Sequence, residues 1–140
     1  MLNVLPDRPD AEKLAHFLQR LLEEKGEEIE FVVLFGSTAR GNWSAGSDYD
    51  VLIGLRGDNY PRFIDRLLDF TPHEGNIEVF PYTKSEWTHM FQARHPLLLE
   101  ALEYGIVLFD RGRFADMRAT FRRWRREGRV VPWQHGWRIE

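Results

Sequence analysis

Leu34-Phe35-Gly36-Ser37-Thr38-Ala39-Arg40-Gly41, followed six residues beyond Gly41 by Ser47-Asp48-Tyr49-Asp50-Val51, is the stretch on which the fold turns. Ile29 to Phe35 is a β-rich run, and its dense apolar part, Phe31-Val32-Val33-Leu34-Phe35, suits a strand covered on both faces. Gly36 and Ser37 punctuate it, Ser37 to Arg40 fits a short helix, and Gly41 to Gly46 reads as a loop containing Trp43. Asp48 to Leu55 is a second strand. A glycine at a strand-to-helix turn lets backbone approach a ligand closely, and the N–H groups that open the helix favour an anion such as phosphate. Ser37 adds a hydroxyl there. Asp48 and Asp50, two apart on a strand, share one face while Tyr49 points the other way. Side-by-side carboxylates repel unless cations sit between them, and oxygen ligands without His or Cys call for Mg²⁺ rather than zinc. Two such ions, about 3.5–4 Å apart, stabilise the attacking and leaving oxygens of phosphoryl-type transfer, so a third carboxylate is expected.

Outward from this core, Asp10 to Lys25 reads as an amphipathic helix with Leu14, Phe17, Leu18, Leu21 and Leu22 on one stripe, Asp10 as N-cap and Gly26 as the stop. Gly57-Asp58-Asn59 ends the second strand ahead of a helix from about Pro61 to Phe70, with Phe63, Ile64, Leu67 and Leu68 expected inward. Asn76 to Thr83 is a third strand, and Pro81 places it at an edge or close to its end. Helices over Ser85–Ala93, capped by Ser85, and over Pro96–Tyr104 precede a short strand, Ile106 to Phe109. Arg113 to Arg126 is a basic helix ending at Gly128, and the last dozen residues suit a small strand or hairpin. The pattern predicts an α/β (α+β) fold with a mixed central sheet of about four strands covered by helices. One domain over residues 1–140 accommodates it, with 111–140 as a basic C-terminal helix and tail.

Gly36-Ser37, Ala39-Arg40-Gly41 and Ser47-Asp48-x-Asp50 together resemble the signature of the minimal nucleotidyltransferases of the DNA polymerase beta superfamily: a Gly-Ser turn, a short helix and a Ser-Asp-x-Asp strand. The resemblance implies a polymerase-beta-like fold across about residues 10–110 and a third acid on the next core strand. The acid inside that strand is Glu78, in Ile77-Glu78-Val79-Phe80, one methylene longer than the family's usual Asp. By the resemblance, Asp48 and Asp50 hold the nucleotide-bound Mg²⁺, and Asp50 with Glu78 hold a second ion that activates the acceptor hydroxyl. Gly36 and Ser37, with Ser47 beside them, grip the triphosphate, and Arg40 neutralises the departing pyrophosphate. The implied reaction moves AMP from ATP to a hydroxyl. Small members of the family pair with a helical HEPN-type toxin, for which they act as antitoxin by adenylylating a tyrosine.

The bland readings set the bounds. Glu78 also suits an edge strand guarded by charge, and Arg40 also suits a solvent-facing surface. A net charge of −3 covers ten Lys+Arg against nineteen acids in residues 1–110, and nine Arg against three acids in residues 111–140. Arg122-Arg123-Trp124-Arg125-Arg126 reads as a solvated face that meets an acidic partner rather than nucleic acid, since the acidic body repels polyanions. The five histidines, His16, His73, His89, His95 and His135, lack metal-ligand spacing. The absence of cysteine removes disulfides, thiolate zinc sites and thiol nucleophiles. Charges at Asp7, Arg8, Asp10, Glu12 and Lys13 break any signal-peptide core, so a soluble cytoplasmic protein is expected, with homo-oligomerisation left open. Two rival functions stand beside antitoxin catalysis: a nucleotide-binding module that masks its partner without chemistry, and a free-standing enzyme acting on a small hydroxylated molecule.

Overall fold

Seven residues, Ile29–Phe35, make β1, which sits inside a four-stranded sheet of order β3-β2-β1-β4. β2 (Tyr49–Leu55) and β4 (Ile106–Asp110) flank it, both antiparallel, while β3 (Ile77–Tyr82) runs parallel to β2 at the edge. The computed structural model describes residues 10–42, 48–60, 62–73, 75–134 and 136–140. The sheet is mixed, and helices cover both of its faces, as its sequence pattern requires. One face carries Val32, Leu34, Tyr49, Val51, Ile53, Ile77 and Val79 against α1 (Ala11–Lys25). The other carries Phe31, Val33, Phe35 and Leu52 against α4 (Lys84–Gln92), α5 (Pro96–Tyr104) and α6 (Arg113–Arg126). α1 buries Leu14, Phe17, Leu18 and Leu21, each a helical step apart, and each such leucine removed from water contributes about 2 kcal/mol. A short helix α2 (Ser37–Arg40) follows β1, and β5 (Val130–Trp133) with β6 (Gly136–Ile139) forms a separate hairpin.

Two local expectations are overturned, and a third holds in position but not in bonding. Asp10 occupies the N-cap position of α1 without a side-chain cap bond; its carboxylate instead accepts from the Tyr49 hydroxyl at 2.7 Å and the Asn76 amide at 2.9 Å. Ser85 does not cap α4. Thr83 does, in a reciprocal capping box with Glu86, while Ser85 donates to Asp58 at 2.7 Å. The largest correction concerns α3 (Phe63–Phe70), which connects β2 to β3. Of Phe63, Ile64, Leu67 and Leu68, Leu67 alone packs against the core, half-buried: Arg66 and Phe70 are buried, and Phe63, Ile64 and Leu68 are exposed, Leu68 at 74%. The reason is local. Arg66, 1% exposed, donates to the carbonyls of Pro81 (3.0 Å) and Tyr60 and to both oxygens of Glu86 (2.8 and 2.9 Å). A guanidinium that donates to two main-chain carbonyls and to both oxygens of a carboxylate outweighs the apolar stripe in setting the rotation of an eight-residue helix.

Candidate active site

The register of the two parallel strands decides which acids meet. Tyr49 pairs with Ile77 and Asp50 with Glu78, and directly paired residues of neighbouring strands project to the same face. Tyr49, Val51, Ile77 and Val79 sit in the α1 core, so Asp48, Asp50 and Glu78 project on the opposite face, the one that carries α4 to α6. All three acids lie at one end of the sheet. Asp50 is half-buried while Asp48 and Glu78 are exposed. Burial first, then the charges of Glu78 and Asp48, push the Asp50 carboxyl up to about 6. Among the described residues no ion pair joins any of the three to a cation.

Gly36 closes the site from β1. Phe35 pairs with Asp50 across the sheet, which sets Gly36 against the Asp50 side chain. A Cβ at Gly36 would lie 2.4 Å from Asp50 Oδ2, and its φ of 78° belongs to the left-handed region, so two independent constraints require glycine. Ser37 opens α2, and Gly41, with φ 81°, ends it. Arg40, at its last position, turns away from the carboxylates: its Nε lies 3.3 Å from Glu100 Oε1, and its guanidinium rests 5.4 Å from the Tyr104 ring centre. Ser47, Trp43 and His135 fall outside the described residues.

Behind the acids, on the α1 face, Asp10 ties Tyr49 to Asn76, and the Tyr49 backbone N–H donates to the Asn76 carbonyl at 2.7 Å. This clamp fixes the first residues of β2 and β3 and with them the spacing of Asp50 and Glu78. Sequence reasoning missed it. The signal that was there is Asn76, a residue that tolerates the left-handed φ of 59° it adopts just before β3. Glu100, which holds Arg40, gave no signal, because its helix position marks it only as one acid on an exposed stripe.

Two cavities lie on this part of the molecule, and one of them touches the carboxylates. One, of about 440 Å³, borders Asp48 and Glu78 and is walled by Phe63, Leu67, Ile77 and Phe80. The other, of about 520 Å³, lies beyond α2 among Arg40, Glu100, Tyr104, Trp133, Gln134 and Trp137. No group of three or more His, Cys, Asp or Glu among the described residues is gathered into a metal cage. The acids present are nonetheless an all-oxygen set whose mutual repulsion a hard dication relieves, which fits Mg²⁺. No helix among the described residues is long and apolar enough to cross a membrane.

The family model described as "Polymerase beta, Nucleotidyltransferase" matches residues 13–113. No curated protein matches the chain. Among solved structures, a Sulfolobus solfataricus protein assigned as a nucleotidyltransferase is 22% identical, with 71% of this chain covering 79% of that one at a TM-score of 0.52, a likeness of fold. A toxin-antitoxin structure with AMP-PNP is 14% identical over 81% of this chain and 88% of that one, with a TM-score of 0.47. A mutant of the toxin-antitoxin MntA-HpeT is 12% identical over the same shares, also at 0.47.

Proposed function

Because the chain belongs to the polymerase beta nucleotidyltransferase family, we propose that Asp48, Asp50 and Glu78 are the carboxylates of a metal-dependent transfer of AMP from ATP to a hydroxyl, in the cytoplasm, with a tyrosine of a HEPN-type toxin as acceptor. The observation that carries this reading is the pairing of Asp50 with Glu78 on the face that Asp48 shares, with the Asp50 carboxyl pushed up to about 6 by burial first and then by Glu78 and Asp48. Magnesium held there would lower the pKa of the attacking hydroxyl and offset charge building on the phosphate oxygens. The chain's own residues do the positioning. Asp48 and Asp50, from one strand, hold the nucleotide side of the site, and Glu78, from the next, holds the acceptor side. Gly36 leaves room for the Asp50 carboxylate, and Ser37 offers its hydroxyl and N–H to a phosphate. Arg40 reaches the leaving pyrophosphate once it gives up Glu100, a partly exposed pair of little net energy. The cavity at Asp48 and Glu78 then receives the acceptor, with the apolar Phe63 and Leu67 at its wall.

The test is transfer of label from α-labelled ATP to a co-purified partner in the presence of Mg²⁺. The expected result is a labelled partner with the natural chain and none with Asp50→Asn. Absence of label with the partner bound and the metal present removes the catalytic reading. A second reading, that the chain masks its partner without chemistry, draws on the exposed Glu78 and the lack of a gathered metal cage. It stands if neutralisation of the partner survives both Asp48→Ala and Glu78→Ala.

A further inference from the structure

The rotation that buries Arg66 leaves the apolar stripe of α3 uncovered. Of the six large apolar side chains exposed among the described residues, three belong to this one helix: Phe63 at 40%, Ile64 at 51% and Leu68 at 74%. Such residues are ordinary when scattered singly, but gathered on two turns they form an interaction surface. Phe63 is already engaged, stacked on Tyr82 with ring centres 5.9 Å apart and with the Arg66 guanidinium 5.1 Å from its own centre. Ile64 and Leu68, four residues apart, stand side by side on the helix surface and make a ridge. Two hollows adjoin it. Phe63 and Leu67 wall the cavity of about 440 Å³ that reaches Asp48 and Glu78, and Leu68 lines a smaller one of about 180 Å³ with Phe17, Leu21 and Pro72. The charges nearby are one-sided. Asp65 and Asp69 on α3 have cationic partners, Arg62 at 3.2 Å and Lys25 at 4.0 Å, whereas no ion pair among the described residues engages Asp48 or Glu78 at the larger hollow.

We infer that the α3 ridge docks the polypeptide that brings the acceptor hydroxyl, through an amphipathic segment whose apolar side chains seat on Ile64 and Leu68 and whose flanks carry Lys or Arg. The inference rests on the transfer reading above and deepens it by giving the recognition chemistry of the acceptor. The ridge and the carboxylates are continuous: the wall between them is built from Phe63, Leu67 and Thr71 on one side and from the β3 residues Ile77, Val79 and Phe80 on the other. Charge selects the occupant. Residues 1–110 hold ten Lys+Arg against nineteen acids, so an acidic segment is repelled and a basic one attracted. A second copy docked by the same face about a two-fold axis would bring its own Asp48 and Glu78 toward these, acid against acid. A small hydroxylated molecule would fill the cavity and leave Ile64 and Leu68, which lie outside its wall, bare. A helix with apolar anchors one turn apart and a basic rim meets both the ridge and the acids.

The test uses two synthetic helical peptides that share one tyrosine and the same leucines a helical turn apart, one flanked by Lys and the other by Glu, titrated into the full chain by fluorescence anisotropy. The Lys-flanked peptide is expected to bind at least about tenfold more tightly than the Glu-flanked one, and added salt should narrow the difference. Leu68→Lys should weaken the Lys-flanked peptide by about tenfold or more, while Leu68→Met keeps most of the affinity. Binding of ATP with Mg²⁺ should be the same in all three chains. Equal binding of the two peptides, binding of neither, or binding that Leu68→Lys leaves unchanged overturns the inference. It also falls if Leu68→Lys weakens ATP and peptide alike, because the face is then structural, or if Leu68→Lys splits a dimer of the natural chain in sedimentation, because a second copy then covers the ridge. Label transfer to the co-purified partner that Leu68→Lys leaves unchanged removes the docking face and keeps the transfer reading. No transfer to any acceptor, with the peptides binding as expected, removes the transfer reading and the acceptor's role with it.

Discussion

The two ends of the β2–β3 pair treat charge in opposite ways. At the end where both strands finish, Arg66 enters the interior and is matched group by group: Glu86 takes two of its bonds, and the carbonyls of Pro81 and Tyr60 take the others. At the end where both strands begin, Asp48, Asp50 and Glu78 share a face with no cation against them among the described residues. The same two strands thus hold a satisfied charge at one end and an unsatisfied set at the other. A fold optimised only for stability would neutralise both ends, and this is why the acidic end is the candidate site.

Asp50→Asn breaks the contrast most sharply. It removes the repelling charge and keeps the shape, so nucleotidyl transfer should drop by about 10³-fold or more while the melting temperature rises. A variant that loses both activity and stability would show that Asp50 belongs to the scaffold. At the other end Arg66→Met should do the reverse, costing about 3 kcal/mol in chemical denaturation, because two interior carbonyls lose their donor. Glu86 is partly exposed and stays hydrated, which keeps the loss from growing further. Nucleotide affinity at a temperature where the variant is folded should change little.

A smaller effect sharpens the comparison through pH. The Asp50 carboxyl lies near 3.8 in the unfolded chain and about 6 in the folded one, so between these values the folded state holds more protons. The stability that this group contributes is therefore fully present below the lower value and is lost as pH rises through about 6. In metal-free buffer the melting temperature should fall by a few degrees across this window relative to Asp50→Asn, and added Mg²⁺ should restore it above pH 6. An identical pH profile for the two proteins would mean that neither burial nor the neighbouring carboxylates raise the Asp50 carboxyl. The smallest effect is expected at Leu68→Lys, within about 0.5 kcal/mol of the natural chain, because that side chain is 74% exposed. Leu18→Ala, at a site 2% exposed, should cost about 3 kcal/mol.

The contrast between Leu68 and Leu18 also shows what was legible in the sequence. In α1 the apolar stripe has no competitor, and its reading holds residue by residue at Leu14, Phe17, Leu18 and Leu21. In α3 the stripe is equally clear and misleads, because the partners of Arg66 lie fifteen and twenty residues away and no local pattern announces them. The four-strand mixed sheet was legible from the alternation of β-rich runs and helices, and so was the placement of β3 at an edge, from Pro81. The candidate site divides in the same manner. Spacing within one strand puts Asp48 and Asp50 on one face, and Gly36 follows from a turn motif, because each is a local rule. The clamp of Asp10 on Tyr49 and Asn76, the hold of Glu100 on Arg40 and the aromatic cleft all depend on contacts between distant segments, which only the folded chain brings together.

The β5–β6 hairpin lies beyond residue 113, where the match to the family ends. The sheet that carries Asp50 and Glu78 therefore lies inside the family match, while the hairpin that brings Trp133 and Trp137 to the cavity beside α5 lies outside it.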